Sequence, residues 1–112
     1  MQVSSVALLA RIYTDEDALW GDEPLFTVIV RRALEAQLAG ATVLQGSLGY
    51  GHSARLHAHR PLSLDDNMPV VVEIVDAEAP LRAFVETLGE FHEIGLVTFE
   101  RVEIARFGNQ SA

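Results

Sequence analysis

Cysteine and lysine are both missing from this 112-residue chain. Without cysteine there is no disulfide, no thiolate nucleophile and no cysteine-based zinc site. That suits a reducing compartment, and the cytoplasm is the expected location. Without lysine, every one of the 8 basic residues is an arginine, set against 16 acids for a formal charge of −8. Such a surface repels nucleic-acid backbones and anionic headgroups, so neither is an expected partner. A small phosphate-bearing ligand would have to be met by a local arginine cluster. No apolar run is long enough to cross a bilayer, so direct membrane insertion is not expected. The N-terminal MQVSSVALLARIYTDED lacks a basic leader region and meets Arg11 and then acids soon after its apolar stretch. It reads as a strand rather than a signal peptide. Also absent are a P-loop, an H-E-x-x-H helix, a nucleophile–base pair and a paired-carboxylate signature. An enzyme is therefore not the expected reading.

What is present is enough apolar material for a core, 49% of the chain, in a length that fits one domain spanning residues 1–112. Val6 to Tyr13 reads as a strand, with Val6, Leu8, Ala10 and Ile12 on one face and Ala7, Leu9, Arg11 and Tyr13 on the other. Pro24 suits the first turn of a helix, with Asp22 or Glu23 at or just before its positive end. Leu25, Val28, Ile29, Ala33 and Ala36 recur at helical spacing, and Gly40 is the expected stop. Ala41 to Leu48 is a second strand interrupted by Gly46. Gly49 to Asn67 is a long loop, and loops of that length in small domains are usually functional or mobile. Met68 to Val75 is a third strand. Pro80 marks the first turn of a second helix carrying Leu81, Phe84, Val85, Leu88 and Phe91, with His92 as a surface residue and Gly95 as its end. Leu96 to Phe107 is the last strand. Its alternation slips phase near Glu100–Arg101, which implies either a bulge there or burial on both faces. The order β-α-β-β-α-β gives an α+β fold: a ferredoxin-like sandwich in which two helices cover one face of a four-stranded antiparallel sheet.

The other face is the informative one. The first and third strands are apolar on both sides, and a solvated face normally alternates with polar residues. Each large side chain left wet forfeits about 1.5–3 kcal/mol of available burial. Self-association is the expected cover; folding back of the termini and the long loop is the alternative.

Three constellations are candidates for chemistry. Gly46-Ser47-Leu48-Gly49-Tyr50-Gly51 follows a strand but opens no helix, so it lacks the helix-dipole phosphate site of the dinucleotide fingerprint. Its glycines serve either a turn with positive φ or a backbone nest for an anion. His52, His57 and His59 could ligate a transition metal through imidazole nitrogens, or belong to a solvated loop that also carries Arg55 and Arg60. Arg101 and Arg106 on the last strand, with Arg11 on the first, could fork onto a phosphate or pair with Glu100, Glu103 or Glu73. Glu73, in an otherwise apolar strand, is the best candidate for a partnered, partly buried acid.

RIYTDED, EPLFTVIVRRALEAQLAGATVLQGSLGYG, NMPVVVEIVD and GLVTFERVEI together resemble the PII-like family catalogued as domain of unknown function 190. The likeness covers nearly the whole chain, and AGATVLQGSLGYG is its most specific part. It implies a homotrimer related to nitrogen-regulatory PII proteins. In those, a long loop between the second and third strands contacts a target, and adenine nucleotides bind between subunits. Carried over, Gly46, Gly49 and Gly51 would shape the cleft and Arg101 or Arg106 would meet a small anionic effector, for which that analogy implies an adenine nucleotide. The 49–67 loop, with His52, Arg55, His57 and Arg60, would face a partner such as a membrane transport protein or an enzyme. The chain departs from PII at Gly89 to Val97, GEFHEIGLV, which is acidic and has no lysine where PII proteins carry a Lys-rich phosphate loop. Tyr50 lies at the loop base rather than its tip. The alternative is a trimer that binds a divalent metal through His52, His57 and His59.

Overall fold

The apolar alternation that starts at Val6 is part of a longer strand. In the computed structural model, which describes residues 2–49, 57–58 and 68–107, β1 runs Gln2–Asp15. The elements that follow are β2 (Leu19–Trp20), β3 (Glu23–Pro24), α1 (Leu25–Glu35), β4 (Gly40–Gln45), β5 (Leu48–Gly49), β6 (His57–Ala58), β7 (Pro69–Asp76), α2 (Glu78–Glu86), a 3-10 turn (Thr87–Glu90) and β8 (Leu96–Arg106). β4, β7, β1 and β8 form one antiparallel sheet in that order. Read from β8, this is the ferredoxin-like order 4-1-3-2.

Register decides what each face carries. Leu8, Ala10 and Ile12 of β1 are buried in one cluster with Val72 and Ile74 of β7. The same cluster takes Leu25, Val28, Ile29 and Ala33 of α1 and Leu81 and Phe84 of α2. Leu8, Ile12, Leu25, Ile29, Ile74 and Leu81 are among its fully buried side chains. Each contributes about 1.5–3 kcal/mol relative to an exposed position.

The helix boundaries differ from expectation for local reasons. Pro24 lies outside the first turn of α1, as its N-cap with φ −58° and ψ 131°, in a two-residue strand that pairs with Leu19. The Leu25 N–H is satisfied by the Ala18 carbonyl at 2.8 Å. Gly40 does not end α1; it opens β4. The stop comes earlier, at Gln37, which takes φ 61°. Gln37 N–H donates to the Leu34 carbonyl and Leu38 N–H to the Ala33 carbonyl, at 3.0 and 3.1 Å, the paired bonds of a Schellman cap. α2 does carry Pro80 in its first turn, but it gives way at Thr87 to the 3-10 turn, so Gly95 is not its end. His92 is exposed in a turn beyond that helix rather than on it.

The irregularity in the last strand is also elsewhere. β8 pairs without interruption from Leu96↔Tyr13 to Glu103↔Val6, and the register shift falls between Val3 and Val6 on β1. The extra residue therefore belongs to the first strand, and no bulge lies at Glu100–Arg101.

On the open face, β1 places Ala7, Leu9, Arg11 and Tyr13. Their register partners are Val75, Glu73 and Val71 of β7 for the last three, and Val102, Glu100, Thr98 and Leu96 of β8 for all four. Thr42 and Leu44 of β4 continue the face beyond Glu73 and Val71. No described helix covers it, and Leu44 and Leu96 stay exposed.

Candidate functional site

The glycine segment lies where β4 leaves the sheet. Gly46 N–H donates to the Pro69 carbonyl at 2.7 Å. A Cβ on Gly46 would stand 2.8 Å from Pro69 Cγ. Glycine is needed here for the close approach of the Pro69 ring; among the described glycines only Gly21 takes a positive φ. Past this contact, Leu48 and Gly49 pair with Ala58 and His57, so a two-stranded ladder forms the stem of the long loop. Tyr50, Gly51, His52, Arg55, His59 and Arg60 lie outside the described residues, and for His57 only the backbone is described. The proposed metal triad is thus largely outside them too; among the described residues no group of three metal-ligating side chains occurs.

A second segment converges on the same sheet end. Glu16 N–H donates to the Met68 carbonyl at 2.8 Å. The Gln45 side-chain amide donates to the Glu16 carboxylate, which ties β4 to the end of β1. Thr14, a buried polar residue, donates through Oγ1 to the Glu93 carbonyl at 3.0 Å. Gly95 N–H donates to the Tyr13 carbonyl at 2.9 Å. Residues 91–95 are thereby fastened to β1, at the same sheet end as the loop stem.

The Phe91 anchor of this segment belongs to a cluster that sequence reasoning missed. Trp20 meets Phe91 edge to face, with centroids 4.6 Å apart. The Arg32 guanidinium lies 4.6 Å over Phe91 and 6.0 Å from Trp20, and it ion-pairs with Glu90 at 2.8 Å. The available signal was the pair Leu19-Trp20 inside an otherwise acidic connection. Glu90, one acid of the Lys-free segment, is therefore neutralised within the chain.

The arginines do not gather within one chain. Arg101 faces α2 and pairs with Glu78 at 3.1 Å; Glu78 also takes Arg82 Nε at 2.7 Å. Hydrogen bonds from Arg82 and then Arg101 hold the Glu78 carboxyl below the usual carboxylate range. Arg106 is five residues further on, so it points to the opposite face of β8. It pairs with Gln2, at the far end of β1 from Thr14. Twelve residues of strand separate those two levels, roughly 40 Å at about 3.3 Å each. Gly46 and Arg106 of one chain therefore cannot touch one small ligand. Arg11 sits in the middle of the open face, bonded through Nε to Glu73 at 3.0 Å and through NH1 to Glu100 at 3.1 Å. The hydrogen bonds with Glu100 and then Glu73 push its guanidinium above the usual arginine value. The partnered acid expected at Glu73 is thus found, with Arg11 as its partner.

The model of the DUF190 family, described as "Uncharacterized ACR, COG1993", matches residues 7–104. Two UPF0166 proteins of Aquifex aeolicus (strain VF5) are similar over most of their lengths. One is 38% identical over 96 residues, covering 86% of this chain and 90% of the relative. The other is 30% identical over 97 residues, covering 87% and 95%. Among solved structures, CPII from Thiomonas intermedia K12, bound to ADP and bicarbonate, aligns with TM-score 0.64 at 18% identity, over 94% of this chain and 93% of that one. The family match over residues 7–104 and the two relatives place this chain in the family known as domain of unknown function 190, with a fold like that of the PII protein CPII.

Proposed function

We propose that this protein is a PII-like regulatory binding protein. It assembles as a homotrimer through the open sheet face, takes a small anionic effector in the clefts between subunits, and presents the 49–67 loop to a partner protein. The effector class that fits is an adenine nucleotide. The observation that carries this reading is that the Gly46–Gly49 stem and the 91–95 segment lie at the same end of the sheet, on either side of its central strands. It occurs in a chain whose fold aligns almost end to end with a protein solved with ADP and bicarbonate.

The geometry supports a site shared between subunits. Arg101 is engaged with Glu78, whereas Arg106 makes no ion pair among the described residues. Arg106 lies about a strand length from the stem of its own chain, so its anion would be held at the stem of a neighbour. With the Gly46 N–H already bonded to the Pro69 carbonyl, backbone N–H groups between Ser47 and Gly51 would supply the remaining donors, since residues 89–97 offer no lysine. The open face is large enough to hold the assembly together. Four strands about 4.8 Å apart over some eight residue levels present on the order of 500 Å² per copy, and two such faces approach the roughly 1,000 Å² of a biological interface. No described helix is long and apolar enough to cross a membrane. A transport protein or an enzyme is the class of target the loop would meet.

Isothermal titration with ATP, ADP, AMP and cyclic AMP, each with and without bicarbonate, tests the effector claim. Binding of at least one nucleotide is expected, weakened about ten- to a hundredfold by Arg106→Ala, the usual effect of removing a charge-assisted hydrogen bond. Absence of heat with every nucleotide, at concentrations where the assembly persists, refutes it.

A further inference from the structure

The open face carries one feature that its apolar residues do not explain. Arg11 sits at its centre between two carboxylates, Glu73 at 3.0 Å and Glu100 at 3.1 Å. Leu9, Tyr13, Val71, Val75, Leu96 and Val102 surround them on the same side of the sheet. The triad thus holds one surplus negative charge on a surface that is otherwise built to be covered. The other charged or titratable groups that the strands turn to this face are Tyr13 beside the triad, Asp15 at the loop end and Arg106 at the far end. Neither end residue is a register neighbour of Arg11, so among the described residues no second cation lies next to the triad.

Covering this face with a second copy removes water from the triad, and a surplus charge is costly in a desolvated site. The cheapest relief is uptake of a proton by one carboxylate. Glu73 is the direct cross-strand partner of Arg11, whereas Glu100 is paired with Leu9 and reaches Arg11 diagonally. Glu100 is also the more exposed of the two, at 57% against 28%. Resting on the self-association reading above, we infer that the Arg11–Glu73–Glu100 triad makes assembly proton-linked, with Glu100 as the group that takes up the proton when copies cover the open face. The sign follows directly: the assembled state binds more protons than the free chain, so association tightens as pH falls.

The test measures the association constant of the full chain by sedimentation equilibrium at about pH 8, 7, 6 and 5.5 and constant ionic strength. The expected result is a tightening that approaches about tenfold per pH unit per subunit, the limit for one linked proton. Glu100→Gln should associate more tightly at pH 8 and lose most of the pH dependence. Glu35→Gln, on the outer surface of α1, removes the same formal charge away from this face and should keep the full dependence. Circular dichroism of each variant checks that the fold is retained. An assembly whose pH slope is unchanged by Glu100→Gln overturns the inference and leaves the assembly reading standing. So does an equal loss of slope in Glu35→Gln, which would assign it to general charge repulsion. Weaker association of Glu100→Gln would mean that a neighbour's cation meets Glu100, and it too overturns the inference. A chain that stays monomeric at every pH overturns both readings.

Discussion

Replacing Gly46 by alanine adds a single methyl group just past the end of β4, where Pro69 of β7 stands too close to accept it. The new Cβ would lie 2.8 Å from Pro69 Cγ, whereas ordinary contact begins at 3.4 Å. Pro69 cannot swing aside, because its ring is closed onto the backbone of the first residue of β7. The strands must therefore part by a few tenths of an ångström, which strains or breaks the Gly46 N–H bond to the Pro69 carbonyl. Overpacking of this kind costs about 1–3 kcal/mol, and a lost backbone bond accounts for about 1 kcal/mol of that. For a domain near 100 residues this corresponds to a fall in Tm of about 5–15 °C. Thermal and urea unfolding at one fixed protein concentration would read it, since an assembling chain has concentration-dependent stability. Gly89→Ala is the control, because a Cβ there meets nothing within 4 Å. Pro69→Ala in the Gly46→Ala background removes the clashing ring atom and should recover most of the loss. If Gly46→Ala unfolds with the native protein, or the second substitution restores nothing, close approach is not the reason for glycine at this position.

The remaining predictions concern the helix cap, the aromatic cluster and acid stability. Gln37→Gly should raise stability by about 0.5–1 kcal/mol in urea unfolding, because a side chain at φ 61° is strained and glycine is not. Arg32→Ala removes both the ion pair to Glu90 and the cation over Phe91. It should cost about 1–2 kcal/mol and shift the emission of Trp20, the only tryptophan, whose ring packs on Phe91. The carboxyls of Glu23 and Glu78 are held below their ordinary value of 4.5 by arginine hydrogen bonds, from Arg31 for the first and from Arg82 and Arg101 for the second. Groups lowered on folding add stability above that value and lose it as pH falls through the folded-state value. Urea midpoints should therefore drop on acidification below about pH 4.5, and less so in Glu23→Gln and Glu78→Gln.

Much of this fold could be read from the chain because the strongest signals were local and repeated. Of the two helical stripes, Leu25, Val28, Ile29 and Ala33 and Leu81, Phe84, Leu88 and Phe91 lie in the buried cluster and Val85 packs on it, whereas Ala36, past the end of α1, is exposed. The strand pattern also carried over, since the first and third strands are the central pair and their two apolar faces reflect two different environments. Boundaries failed where a residue's habitual role competed with its neighbours. Gly40 was the obvious cap for α1, but the helix needs its left-handed residue where Leu38 can turn back to pack on the core, and that falls on Gln37. The phase slip in β8 had a simpler cause: it is an edge strand whose described residues are all at least partly exposed, so hydrophobicity there does not track one core face. The register shift sits on β1 instead, at Ser4-Ser5, where no apolar pattern could announce it.

The candidate site was legible only by residue type, because what unites its parts is tertiary. Gly46 stood out as a glycine in a strand, but the reason for it, a proline ring 23 positions away, is visible only once β4 and β7 are paired. Arg101 and Arg106 looked like a pair because they are near in sequence. Strand geometry separates them: an odd spacing sends them to opposite faces, and Glu78 already occupies the first. The same geometry puts Arg106 about 40 Å of strand from the stem it was meant to serve. On the reading proposed above, a chain with so little positive charge and no lysine would hold its anion with arginine, but its one described arginine without an internal carboxylate lies at the wrong end of its own sheet. The proposed second copy is then favoured from two directions, the apolar face that no described helix covers and the misplaced cation. Ligand binding and assembly would be thermodynamically coupled, each strengthening the other by the same factor.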